Sequence, residues 1–286
     1  MLILVTNDDG LWSPGIAALA AALRPLGEVA IFAPDRERSA IGHAITMHHP
    51  LRVEEVPSFP VEGVKAHVVN GTPSDCVKLG AEAILPRLPD LVVSGINLGP
   101  NLGTDVVYSG TVSGALEGVI LGMPAIAVSL ATDTQAEDFT AASKIAALLV
   151  RRVQEHGLPP DTLLNVNVPG LPVEEIAGVK VTHLGRRRYR NVFDRRTDPR
   201  GKVYYWMAGE VLDLDQDPEA DTAAINNNLI SVTPLRYDLT HRAFLPELER
   251  WSLESWKNGQ ARMEGPRPYG YAESRVSPAG GGEGES

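Results

Sequence analysis

A single cysteine, Cys76, stands in 286 residues. One thiol cannot build a disulfide framework or a thiolate zinc cluster within the chain, so both are excluded. Positive charge is also short. The 26 Lys and Arg stand against 36 Asp and Glu, a formal net charge of −10. That balance argues against a broad nucleic-acid face and a duplex partner, while leaving room for a local basic pocket. No apolar run is long enough to span a membrane, and the longest later runs are interrupted by Gly and Pro. Met1-Leu2-Ile3-Leu4-Val5 opens the chain with no basic stretch before it and no cleavage site behind it. The expectation is a soluble, cytoplasmic protein with no membrane partner. Two phosphate signatures are missing as well. There is no Gly-Lys-Ser/Thr loop, and Gly95, Gly99 and Gly103 lie four apart rather than in a dinucleotide fingerprint, which disfavours an oxidoreductase.

What is present belongs to an ordinary globular chain: 43% hydrophobic and 22% charged residues, with ample material for a core. The first half alternates short Val- and Ile-rich runs (2–6, 29–33, 66–70, 91–94 and 125–130) with helix-like segments. Runs that are apolar on both faces suit strands covered by helices on both sides. A helix is expected from Ser13-Pro14 to about Leu26, with Ser as N-cap and Pro at the first position. Others are expected after Thr72-Pro73-Ser74 to near Leu85, after Ser109-Gly110-Thr111 to Gly122, and over 137–156. The last places Phe139, Ala142, Ile145, Ala146, Leu149 and Val153 on one stripe. The fold class expected is α/β, Rossmann-like, with a largely parallel sheet, helices on both faces, and a C-terminal β-hairpin extension.

The second half changes character. Residues 163–168 read as another strand, and alternation over 179–211 around Asp198-Pro199-Arg200-Gly201 reads as one long hairpin. A strand is expected at 230–233 and a short helix at 251–256. The expected organisation is a catalytic core over 1–178, to which the strand near 230 returns. A hairpin and oligomerisation segment follows over 179–262, then a Gly-rich disordered tail over 263–286.

Ligands of open α/β sheets bind beyond the carboxyl ends of the strands, so the residues after each apolar run carry the information. Asp8-Asp9 is the sharpest pair. Two adjacent carboxylates at the end of a buried strand repel one another unless a cation or an Arg neutralises them. The alternative is a plain Asp-Asp-Gly surface turn. Scarce His and absent Cys near these loops steer a metal toward Mg²⁺ or Mn²⁺. The run 95–103 offers close backbone approach and the amides of Asn97 and Asn101; the alternative is a tight loop. Ser109-Gly110-Thr111 opens a helix and presents free N–H groups to an anion, or simply caps the helix. His43, His48 and His49 read as structural or exposed. Arg186, Arg187, Arg188 and Arg190 read as a solvated face or an oligomer contact, with an anionic substrate as the minority alternative. Cys76 reads as packed rather than nucleophilic.

Taken together and in order, these segments resemble the SurE family over about residues 1–240. They are Leu4-Val5-Thr6-Asn7-Asp8-Asp9-Gly10, Ala33-Pro34-Asp35-Arg36, Arg38-Ser39-Ala40, Asn70 through Val77, Ser94-Gly95-Ile96-Asn97 through Gly103, and Tyr108-Ser109-Gly110-Thr111-Val112. Asn165-Val166-Asn167-Val168-Pro169, Asp198 through Gly201, Tyr204-Tyr205-Trp206 and Ser231-Val232-Thr233-Pro234-Leu235 continue the set. The resemblance implies a metal-dependent phosphatase of nucleoside 5′- and 3′-monophosphates, some members also cleaving short polyphosphate. It implies one divalent cation held at Asp8, Asp9, Ser39 and Asn97. It also implies a homodimer or homotetramer with exchanged C-terminal segments.

On this reading Asp8 and Asp9 are the catalytic carboxylates, and Asn101, Ser109, Gly110 and Thr111 cradle the phosphate. Which Asp is the base, and whether Asp8 attacks phosphorus covalently, stays open in the sequence. Two other classes compete: a nucleotide-binding module without chemistry, and an assembly protein working through its hairpin.

Overall fold

The computed structural model describes residues 1–132, 138–190, 193–207, 209–213 and 217–258. The expected tail over 263–286 and the expected helix start at Glu137 lie outside them. The chain forms two compact units, Met1–Asp238 and Leu239–Ser286.

In chain order the elements of the first unit are β1 (Leu2–Thr6), α1 (Pro14–Leu23), β2 (Glu28–Pro34), β3 (Val53–Val56), β4 (Lys65–Val69) and α2 (Pro73–Leu79). They continue with β5 (Leu91–Leu98), α3 (Gly110–Ile120), β6 (Ala125–Ala131), α4 (Thr140–His156), β7 (Thr162–Pro169) and β8 (Gly178–Val181). Then come β9 (Arg187–Arg190), β10 (Phe193–Thr197), β11 (Val203–Met207), β12 (Glu210–Asp213), α5 (Asp221–Asn226) and β13 (Leu229–Arg236). One sheet runs β3-β4-β2-β1-β5-β6-β7-β13-β8. The six strands from β4 to β7 in that order pair in parallel, while β3 and β13 run against their neighbours β4 and β7.

Strand β1 shows why helices cover both faces. All five of its residues are buried. Ile3 and Val5 join one core with Ile16, Leu19 and Leu23 of α1 and Ile145 and Val150 of α4. Leu2 and Leu4 join the other with Phe32, Cys76, Val77, Val112 and Val119, under α2 and α3. A strand with side chains alternating into two apolar layers reads as continuously hydrophobic, and so it does here. The strand order reverses direction around β1, with β2 on one side and β5 on the other. Such a switch point opens a crevice at the carboxyl ends of β1 and β5.

The expected elements are present with local differences. The helix after Thr72 carries a full capping box with Asp75 but turns π-helical over Gly80–Ile84. Strand β5 runs past Ser94 to Leu98, and its register against β6 shifts between Ser94 and Asn97. Gly95 sits there at φ +135°, where a Cβ would lie 2.2 Å from the Val128 carbonyl oxygen. Only glycine fits that approach.

The long hairpin expected from Val179 starts later. Val179 belongs to β8, which pairs in parallel with β13 in the main sheet. The ribbon proper comprises β9 with β12 and β10 with β11, closed by the expected turn, where Gly201 N–H donates to the Asp198 carbonyl at 2.9 Å. The second unit holds α6 (Leu245–Glu249) and a 3₁₀ turn over Leu253–Asn258, close to the short helix expected at 251–256.

Candidate active site

The turn after β1 is built by its own side chains. Asn7 is fully buried, and its Nδ2 donates to the Gly10 carbonyl at 3.0 Å and to Ser13 Oγ at 2.8 Å. Ser13, the expected helix cap, makes no cap bond; it serves this turn instead. The Arg38 N–H donates to the Asp8 carbonyl at 2.7 Å, drawing the loop after β2 onto the same edge. Ser39 lies next on that loop, exposed, its hydroxyl donating to Glu37 Oε1 at 2.5 Å.

Asp8 is the centre of the arrangement. It is only 6% exposed, and burial raises its carboxyl pKa above the ordinary aspartate value, with nearby Glu37 pushing the same way. Thr111 opposes that shift by donating its hydroxyl to Asp8 Oδ1, and its main chain adds to the effect. Thr111 is therefore committed to Asp8. Gly110 explains the closeness: a Cβ there would meet Asp8 Cβ and Oδ2, each at 2.8 Å. The carboxylate thus sits against the first turn of α3, where the helix dipole favours negative charge. Ser109 caps that helix, its Oγ accepting from Val112 N–H at 3.1 Å.

The glycine-rich loop closes the other side. Leu98 N–H points to Asp9 Oδ2 at 3.4 Å, and Asn97 Nδ2 donates to the Gly99 carbonyl at 2.7 Å. That bond uses the Asn97 amide nitrogen and leaves its oxygen as an acceptor. Asn101 is buried in a net of amides. Its N–H donates to Asn167 Oδ1 (2.8 Å), its Nδ2 to Ser129 Oγ (2.8 Å), and its carbonyl accepts from Asn165 Nδ2 and Asn167 Nδ2. Asp221, fully buried on α5, accepts N–H bonds from Gly103, Gly185 and Thr222, all at 2.8 Å.

Several of these residues escaped the sequence reading. Asn165 and Asn167 had a legible signal, since two amides spaced by two in an apolar strand share one face. Asp221 had none, because its partner Gly103 lies 118 residues away. Asp75 and Glu117 were hidden in the same way. Asp75 accepts from Thr46 N–H and hydroxyl at 2.9 and 2.6 Å, and buried Glu117 lies 2.8 Å from His43 Nε2.

The Arg cluster is partnered rather than bare, with Arg187 Nη1 at 3.3 Å from Asp105 and Arg190 Nη2 at 2.7 Å from Glu210. Cys76 is buried as expected, and burial pushes its thiol well above the ordinary range.

The donor chemistry fits a hard cation. Asp8, Asp9, Ser39 and Asn97 offer oxygen only, and no cluster of three or more His, Cys, Asp or Glu occurs among the described residues. A buried carboxylate disfavoured as an anion is also the kind of ligand a divalent ion restores to its charged form.

A family model described as survival protein SurE matches residues 3–191. The chain is 56% identical over 262 residues to the 5′-nucleotidase SurE of Moorella thermoacetica, covering 90% of this chain and 98% of that one. It is 55% identical over 251 residues to the 5′-nucleotidase SurE of Heliobacterium modesticaldum, covering 88% and 92%. The crystal structure of the SurE protein from Aquifex aeolicus superposes with a TM-score of 0.77 at 43% identity, covering 88% of this chain and all of that one. With the family model matching 3–191 and relatives more than half identical over nearly their whole length, the chain belongs to the SurE family.

Proposed function

We propose that this protein hydrolyses nucleoside 5′-monophosphates to nucleoside and inorganic phosphate at one divalent cation, Mg²⁺ or Mn²⁺, held by Asp8, Asp9, Ser39 and Asn97. Nucleoside 3′-monophosphates and short polyphosphate are the further substrates of this reading. The observation that carries it is the buried Asp8 carboxylate pressed against Gly110 at the start of α3. One site there meets a cation and the anion-attracting end of a helix together.

When bound, a divalent ion neutralises charge on the phosphoryl group and makes water a better nucleophile. The protein residues do the rest. Ser109 keeps its hydroxyl proton for a phosphate oxygen while its lone pair caps α3, and Gly110 presents its N–H group. Asn101, fixed by Asn165 and Asn167 of β7 and by Ser129 of β6, keeps the glycine-rich loop in place. Thr111, expected at the phosphate itself, acts through Asp8 by orienting its carboxylate. The remaining carboxylate edges of Asp8 and Asp9 orient the attacking water and take its proton.

The test is phosphate release from a panel of nucleoside monophosphates and tripolyphosphate with Mg²⁺, Mn²⁺ or Co²⁺, against a chelator control. Activity that needs added metal and collapses by at least about 100-fold in Asp9→Asn supports the reading. Background release across the whole panel overturns it. The sequence supports a cytoplasmic homodimer or homotetramer, which light scattering on the purified protein measures directly. No helix among the described residues is long and apolar enough to cross a membrane.

A further inference from the structure

The stretch between Asn101 and Ser109 is held from two sides, yet it ends on a bare aromatic ring. On one side, Gly103 N–H is bound by Asp221 at 2.8 Å, and Thr104 Oγ1 donates to the Arg187 carbonyl at 2.8 Å. Asp105 Oδ2 accepts from the Tyr189 hydroxyl at 2.6 Å and from Arg187 Nη1 at 3.3 Å. On the other side, the loop that carries Ser39 donates Gly42 N–H to the Tyr108 carbonyl at 3.0 Å. The backbone of Tyr108 is therefore fixed between the root of the hairpin and the loop after β2. Tyr108 is nonetheless 64% exposed, and Val107 is 70% exposed.

An open ring on an immobilised backbone recognises a flat ligand at small entropic cost, because little freedom is left to lose. Tyr108 immediately precedes Ser109 and Gly110, the residues assigned above to the phosphate, and its carbonyl is bound by the loop of Ser39. A ribose and base carried on a phosphate beside buried Asp8 would extend toward solvent, where Tyr108 is exposed.

We propose that Tyr108, flanked by Val107, is the platform on which the base of a nucleoside monophosphate stacks. This rests on the nucleotidase reading above and adds the residue that separates nucleotides from other phosphate monoesters. Stacking tolerates all bases because each has a π-face, so the platform selects for a base without choosing among bases. Trp12 is equally exposed, at 64%, and lies in the turn between Asp9 and α1, so it is the competing ring.

The experiment compares adenosine 5′-monophosphate with ribose 5-phosphate, which keeps sugar and phosphate but lacks the base. Tyr108→Ala lowers kcat/KM for the nucleotide about tenfold, mainly through KM, and leaves ribose 5-phosphate within about twofold. Tyr108→Phe retains nucleotide activity, and Trp12→Ala keeps the unmodified protein's ratio of nucleotide to ribose 5-phosphate activity. Equal losses on the two substrates in Tyr108→Ala, or no loss on the nucleotide, overturn the platform. So does a base-dependent loss that appears in Trp12→Ala instead. An unmodified protein that uses both substrates equally well overturns the platform alone; one inert toward both overturns the nucleotidase reading with it.

Discussion

Gly110 has no room for a side chain because Asp8 occupies that room. The space a Cβ would need lies 2.8 Å from Asp8 Oδ2 and from Asp8 Cβ, and Asp8 is held in turn by Thr111. A methyl group there must displace the carboxylate, since helix backbone lies behind it. Gly110→Ala is expected to lower kcat/KM for a nucleoside monophosphate by about 100-fold, the usual cost of misplacing a catalytic group by about an ångström. Overpacking alone should cost about 1–3 kcal/mol of stability. Steady-state kinetics and urea unfolding of the same variant separate the two effects. Full activity in Gly110→Ala would show that Asp8 does not work against the helix start. Asp8 also carries a cost of its own: burial raises its pKa, so the fold keeps a poorly solvated carboxylate where an amide would sit more comfortably.

At the scale of elements, α5 does the work of a clamp. Its first residue, Asp221, binds the end of the glycine-rich loop at Gly103 and the root of the hairpin at Gly185. One buried carboxylate therefore ties β5, the hairpin and β13 into a single arrangement. Three N–H donors satisfy it, which is why a fully buried carboxyl group is tolerated there. In Asp221→Asn an amide NH₂ would face donors already pointing inward. The expected outcome is a loss of about 3 kcal/mol in unfolding free energy, with faster amide exchange at Gly103 and Gly185. Exchange that stays slow at both glycines would remove Asp221 from this role.

Across the whole molecule, the two ends of the sheet carry opposite electrostatics. At the carboxyl end, Asp8 is buried and its pKa is raised. At the amino end, Asp90 accepts both Arg87 Nη groups at 2.9 Å and the Leu2 N–H at 2.6 Å, which hold its carboxyl at about 2 against an ordinary 3.8. The folded state favours the Asp90 anion. Its contribution is therefore complete above the ordinary carboxylate range and is lost as pH falls through about 2. The pair is largely exposed, so its worth is at most about 1 kcal/mol. Melting curves of Asp90→Asn should fall below those of the unmodified protein near neutrality and merge with them at the acid end of that window. A gap that persists at the acid end would contradict the assignment. Asp90 thus adds its share of stability at the end of the sheet remote from the candidate site, and the costly Asp8 carboxylate lies at the other end.

Local chemistry made much of this legible in the sequence. Two-sided apolar runs marked β1, β2, β5 and β6 within a few residues, because a strand buried on both faces has no polar alternation to hide it. Thr72-Pro73-Ser74 marked the start of α2, and Asp8-Asp9-Gly10 announced a charged turn at a strand end. What alternation could not show was where Val179 pairs. Its period suits a hairpin as well as a sheet edge, and only the arrival of β13 decided between them. The same holds for Asp221, whose partner Gly103 lies 118 residues away, and for Asn165 and Asn167, whose shared face was legible but whose contact, Asn101, lies 64 and 66 residues away. Thr111 is a sharper case, since its sequence context suits an anion and its folded position gives its hydroxyl to Asp8. Strand and helix identity, and the residue types at the crevice, follow from short-range pattern, because propensity and patterning act between near neighbours. Which carboxylate is buried, which hydroxyl it takes and which ring is left open at the rim follow from packing, because those outcomes depend on segments that meet only when the sheet closes.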